Sequence, residues 1–226
     1  MKKIFLIIAI LAMPFAASAQ GFRGFIDIFG GTQFGGGIDF PTYDVTNVKN
    51  DLAFGLNVTG GYQITNYLFA GIGFGGYAAL IGATTHDDYY SERNRDAIPL
   101  HFPFYADVRW TLDIDRKITP FVDVKIGYQI VHNVDDGGIA YYRYNGELDY
   151  RYNDELYAKG KNGVYFMPSV GVRFGKASGF NLGIAYNACV GTKFLQNYEV
   201  SPDNYELREV AKTNKGVFMI TFGADF

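Results

Sequence analysis

One cysteine, one tryptophan, three histidines and seven prolines among 226 residues remove several classes of protein at the outset. A single thiol, Cys189, cannot close an intrachain disulfide, so the chain is no disulfide scaffold and Cys189 reads as an inert free thiol. Positive charge is not in excess. With 20 Lys and Arg against 23 Asp and Glu, the chain offers nucleic acid no basic face. Beyond the first twenty residues, no stretch approaches the roughly 18 apolar residues of a transmembrane helix. What is plentiful is 28 Gly, 20 Phe and 18 Tyr, a composition of short strands and tight turns, because aromatic side chains suit a pleated, half-buried surface.

The N-terminus has the layout of an export signal. Lys2 and Lys3 precede an apolar run from Ile4 to Ala12, and Ala17-Ser18-Ala19 provides the small-residue cleavage pattern before Gln20. Residues 1–19 are therefore expected to be removed as a secretory signal peptide, leaving one domain over residues 20–226.

Period two dominates the rest. From Ile98 to Leu112 the apolar residues Ile98, Leu100, Phe102, Phe104, Ala106, Val108, Trp110 and Leu112 alternate with Pro99, His101, Pro103, Tyr105, Asp107, Arg109 and Thr111. A helix would scatter these side chains around its circumference, whereas a strand places one set on each face. Eight segments alternate in this way: Gly21–Gly31, Leu52–Gln63, Tyr67–Ile81, Ala97–Leu112, Ile118–Val131, Gly163–Gly175, Gly179–Gly191 and Lys215–Phe226. Each is long enough to cross a bilayer as a tilted strand of roughly 9 to 11 residues. Their connections alternate between tight (Ile64–Asn66, Asp113–Lys117, Lys176–Ser178) and long and polar (Thr32–Asp51, Gly82–Asp96, His132–Asn162, Thr192–Asn214). The pattern predicts an all-β, transmembrane, antiparallel up-and-down barrel of eight strands, with the tight turns and both mature termini on the periplasmic side.

A soluble β-sandwich or lipocalin-like barrel is the competing architecture. Two observations oppose it. The less apolar faces carry Gly and aromatics, among them Phe25, Phe29, Tyr67, Phe69, Tyr77 and Tyr105, which suits a packed interior better than bulk water. The apolar faces are banded, with Phe54, Phe102, Tyr128, Phe166 and Phe218 towards the long loops and Tyr62, Trp110, Phe174, Phe180 and Phe226 towards the tight turns. Two aromatic girdles around an aliphatic belt match the two interfaces of a bilayer.

The signal, the eight alternating segments and the terminal run from Gly216 to Phe226, with Phe218, Ile220, Phe222 and the final Phe226 on one face, resemble the porin-family outer-membrane β-barrel domain proteins, in particular small OmpX/OmpA-like eight-stranded barrels. The resemblance covers essentially all of the mature chain. It implies an integral protein of a Gram-negative outer membrane, in contact with its lipids. It also implies that Phe218, Ile220, Phe222 and Phe226 form the signal read by the barrel-insertion machinery. Fold does not carry activity with it, since one scaffold hosts many functions.

An eight-stranded barrel is just wide enough for its own side chains to fill it. The inward set includes Arg23, Arg109, Lys125 and Arg173 against Asp27, Asp107, Asp123 and Asp225, a balance that reads as an internal salt-bridge network plugging the lumen. A hairpin centred in Asp113–Lys117 places Asp107 near Asp123 and Tyr105 near Lys125, with Arg109 within diagonal reach. The alternative use of such a lumen is a narrow channel or transporter for small or apolar solutes.

Other motifs carry less. Gly71-Ile72-Gly73-Phe74-Gly75-Gly76 spells a dinucleotide-binding pattern, but no helix follows to hold a phosphate. His101 and Ser169 face inward at similar depth on the fourth and sixth strands, about 10 Å apart at ordinary strand spacing. That is too far for a nucleophile and base, so no catalysis, cofactor or metal is expected. His86-Asp87-Asp88 and Asn133–Gly137 offer oxygen ligands without the spacing of a calcium loop. In the longest loop, Asn145-Gly146 separates two Tyr-rich arms, the mark of a hairpin. Two more spanning strands here, giving ten, are the alternative topology. Exposed Tyr142, Arg143, Tyr144, Tyr150, Arg151 and Tyr152 suit recognition of an extracellular protein or glycan.

Overall fold

A computed structural model describes residues 21–34, 38–40, 45–85, 98–134, 156–176, 178–188, 190–201, 204–214 and 216–226. The signal segment, His86-Asp87-Asp88, most of Asn133–Gly137, the Tyr141–Tyr152 segment expected to form a hairpin, and Cys189 lie outside the described residues. Among the described residues there are twelve strands: β1 (Phe22–Thr32), β2 (Ile38–Phe40), β3 (Val45–Gln63), β4 (Leu68–Thr85), β5 (Ile98–Thr111), β6 (Ile118–Val134), β7 (Leu156–Lys161), β8 (Gly163–Gly175), β9 (Gly179–Asn187), β10 (Gly191–Ser201), β11 (Asn204–Thr213) and β12 (Val217–Asp225). Eight of them, β1, β3, β4, β5, β6, β8, β9 and β12, pair antiparallel with their neighbours. The sheet closes on itself through β1 against both β12 and β3. The barrel therefore has eight strands and not ten.

Its surface chemistry is the reverse of a water-soluble protein's. Along β5 every second residue from Pro99 to Thr111 is buried, His101, Asp107 and Arg109 included, while Phe102, Phe104, Val108 and Trp110 are exposed. The same holds for Ile28, Leu56, Ile72, Ile126, Val170, Ile184 and Ile220 on the other strands. Apolar area left in water costs about 25 cal/mol per Å², so only a hydrocarbon solvent makes this exterior stable. Both girdles lie on this outer face, although Tyr67 departs from the expected inward set: it sits in the turn before β4 and is exposed.

The tight turns are built from local hydrogen bonds. Thr65 Oγ1 accepts from the backbone N–H groups of Tyr67 (3.1 Å) and Leu68 (3.0 Å). Asp113 Oδ1 accepts from the Asp115 N–H at 3.1 Å. Gly175 takes φ 133°, and a Cβ there would lie 2.2 Å from the Ser178 carbonyl oxygen, so the β8–β9 turn requires glycine.

The β5–β6 register differs by two residues from that expected. Asp107 stands opposite Lys125, and Arg109 opposite Asp123. The turn is longer than Asp113–Lys117 alone: the Leu112 N–H donates to the Pro120 carbonyl, the Asp113 N–H donates to Thr119 Oγ1, and Ile114 folds into the barrel end. The shift replaces two facing carboxylates, a repulsive pair, with two opposite-charge pairs.

The region Thr192–Asn214, expected as a polar loop, is instead a β10–β11 hairpin joined by β7 into a separate three-stranded sheet. A Cβ at Gly160 on β7 would meet Pro99 Cβ and Val131 Cγ1, and the Gly160 N–H donates to Asn133 Oδ1 at 2.7 Å. The buried face of this sheet, with Ala158, Thr192 and Phe194, thus leans over the long-loop end of the barrel.

Candidate functional site

Inward residues of the eight barrel strands stack in layers from the tight-turn end upward. At the bottom, Arg173 on β8 holds Asp225 on β12 with Nε at 3.0 Å from Oδ1 and Nη2 at 2.8 Å from Oδ2. Arg23 Nη1 donates to the same carboxylate at 2.8 Å. The remaining Arg173 donors reach backbone carbonyls of two turns, Gly175 at 2.7 Å, Lys176 at 3.0 Å and Ile114 at 3.2 Å. One guanidinium thus links the last strand to two hairpins.

Next, the Arg109 guanidinium lies between two rings, 4.1 Å from the centroid of Phe25 and 4.7 Å from that of Phe121. Its Nη2 donates to Asp123 Oδ2 at 3.0 Å and lies 3.5 Å from Asp27 Oδ2. Lys125 sits among three carboxylates from three strands: in close contact with Asp123, 3.5 Å from Asp107 and 3.6 Å from Asp27. Ser169 Oγ also donates to Asp123, at 3.3 Å. Relative exposure at this level is 5% for Asp27, 2% for Arg109 and Lys125, and 1% for Asp107 and Asp123. Removing such ions from water costs several kcal/mol each, which only close pairing offsets.

Above the charges is a layer of hydrogen-bonded aromatics. Asn57 Nδ2 donates to the Tyr165 hydroxyl at 3.1 Å, and the hydroxyls of Thr59 and Tyr105 share a hydrogen at 3.1 Å. Tyr77 donates to Gln129 Oε1 at 2.6 Å and stacks on His101 with centroids 4.4 Å apart. Inward glycines make room for these rings: a Cβ at Gly73 would lie 2.5 Å from the Tyr105 ring. Phe29, Val190, Val217 and Met219 join the same buried cluster.

All eight lumen charges inferred from sequence are therefore gathered into two groups. One contains Asp27, Asp107, Asp123, Arg109 and Lys125, with one more acid than base; the other contains Arg23, Arg173 and Asp225, with one more base than acid. The terminal residues Phe218, Ile220, Phe222 and Phe226 all point outward and are exposed to the bilayer. His101 and Ser169 are not brought together, nor are they at one depth. They stand opposite Val131 and Asp123 of β6, eight residues and so about 26 Å of strand apart. The staggered register of a tilted barrel separates residues that counting from the strand ends makes level. The Phe25–Arg109–Phe121 sandwich and the Tyr77–Gln129 and Asn57–Tyr165 bonds were not expected from sequence. Inward parity gives their direction, but only the register gives their partners.

A closed antiparallel barrel, polar within and apolar without, is an integral β-barrel membrane protein. The chain belongs to the family described as outer membrane protein beta-barrel domain, whose model matches residues 4–217, and it is an outer-membrane protein. Its fold is similar to that of the outer membrane protein OprG from Pseudomonas aeruginosa, with TM-score 0.53 and 13% identity over 91% of this chain and 95% of that one. It is also similar to Neisserial surface protein A, with TM-score 0.50 and 10% identity over 90% and 95% of the two chains. No curated protein matches the sequence.

Proposed function

We propose that this protein is a non-enzymatic barrel sealed by its own side chains, acting in envelope structure and in surface recognition through its long extracellular loops. The observation that carries this reading is the buried group of five charges at mid-barrel, each at most 5% exposed. A pore lined by these residues would leave them wet. In this reading both mature termini are periplasmic, Phe218, Ile220, Phe222 and Phe226 serve the barrel-insertion machinery, and the Tyr141–Tyr152 segment meets an extracellular protein or glycan.

A narrow channel for small or apolar solutes is the second reading. It is favoured by polar atoms in the lumen that have no hydrogen-bond partner among the described residues, including both nitrogens of His101 and both carboxylate oxygens of Asp107, the latter facing Lys125 only at ion-pair distance. Asp107→Lys separates the two. In a sealed lumen a third cation joins Arg109 and Lys125, so the temperature of the gel-mobility shift on unfolding falls, corresponding to a loss of about 3 kcal/mol. An unchanged shift temperature together with altered ion selectivity would favour the channel.

A further inference from the structure

The three-stranded sheet carries a row of like charges that no described residue neutralises. Lys193 in the central strand β10 stands directly opposite Lys159 on β7 and Lys212 on β11. Lys161 is on the same face, two residues along β7 from Lys159. Directly opposed side chains on a sheet are about 5 Å apart, and like charges there are destabilising. Among the described residues, none of these four lysines makes an ion pair or side-chain hydrogen bond. The one acid beside them among the described residues is exposed Glu209, in the neighbouring row Tyr157–Leu195–Glu209.

The direction of this face follows from the breaks in the strands. Below them, odd-numbered residues point into the lumen, as Tyr165, Asn187 and Val217 do. β7 ends at Lys161 before β8 begins at Gly163, β9 ends at Asn187 before β10 begins at Gly191, and β11 ends at Thr213 before β12 begins at Val217; beyond these points Ala158, Gly160, Thr192 and Phe194 are the buried set, joined by Leu195 past the register shift between Phe194 and Leu195. The lysines, partly or fully exposed, therefore lie on the outward face, the one that faces lipid lower down. The adjoining barrel strands β8, β9 and β12 carry outward aromatics near these points: Phe166 and Phe218 of the upper girdle and Tyr186, the last two with ring centroids 4.6 Å apart. Lys161 is three residues from lipid-exposed Val164, about 10 Å of extended chain.

We propose that Lys159, Lys161, Lys193 and Lys212 form a binding site for the phosphate groups of outer-leaflet lipid headgroups. Charge complementarity selects an anion, and continuity with the aromatic girdle selects one held at the membrane surface. Phosphates between the lysines remove the repulsion that the register builds in.

The test uses the refolded mature protein in uncharged detergent, with retained lipid counted by native mass spectrometry. Phosphatidic acid should be retained over phosphatidylcholine, and retention should fall steeply as salt is raised. The triple variant Lys159→Gln, Lys193→Gln, Lys212→Gln should lose roughly a hundredfold in affinity for phosphatidic acid. The corresponding three Lys→Arg changes should keep it. Salt-independent retention by the unmodified protein would overturn the proposal without any variant having to fold. Equal retention by the folded Gln variant would also overturn it, as would complete displacement by inorganic pyrophosphate at the lipid's own concentration, which would mark a site for soluble phosphate.

Discussion

Lys125→Met will destabilise the barrel more than any other single change in the lumen, by about 3 to 5 kcal/mol. Methionine preserves the length and apolar stem of lysine, so the packing beside Asp107, Asp123 and Asp27 changes little. What changes is the charge. Three carboxylates remain, with Arg109 as their only neighbouring base among the described residues, and Arg109 is already committed to Asp123 and Asp27 at 3.0 and 3.5 Å. Asp107 loses the only cation recorded within 4.0 Å of it among the described residues. Urea titration of the protein folded into vesicles measures the loss. A change under about 1 kcal/mol would mean that the charges are solvated in the native state rather than buried.

Arg173→Leu is the second large effect, with an expected loss of about 3 kcal/mol and slower folding. Leucine fills part of the space but removes donors to Asp225 and to the carbonyls of Gly175, Lys176 and Ile114. Among the described residues Asp225 then keeps only Arg23, which is partly exposed. The carbonyls left without this donor belong to the β5–β6 and β8–β9 turns, so the damage spreads to both hairpins and to the β1–β12 seam. Arg173→Lys should rescue little, because one ammonium cannot span the carboxylate and three separate carbonyls. Folding kinetics followed by gel mobility separate the outcomes: near-complete rescue by lysine would show that charge alone matters there.

Much of this architecture was legible in sequence because a barrel wall obeys a period of two, one face to lipid and the other to the lumen. The segments Gly163–Gly175 and Ile118–Val131 fall on β8 and β6 almost residue for residue, and inward charges such as Asp123 and Arg173 could be identified by parity alone. Register could not. It depends on how many residues a turn absorbs, and the burial of Ile114 and the Asp113–Thr119 bond moved the β5–β6 pairing by two. The β10–β11 hairpin was missed for another reason. Its residues lie above the bilayer, where no solvent enforces alternation, although Pro202-Asp203 between two segments rich in Tyr, Leu and Val was an available turn signal. The lysine row is visible only once β7, β10 and β11 are paired.

The sealed lumen is tested most directly by the conductance of the refolded mature protein in a planar bilayer, beside a denatured control. A folded barrel, shown by its gel-mobility shift, that gives no unitary current steps is the expected result. Stable, reproducible steps from the folded protein, absent from the control, would contradict it.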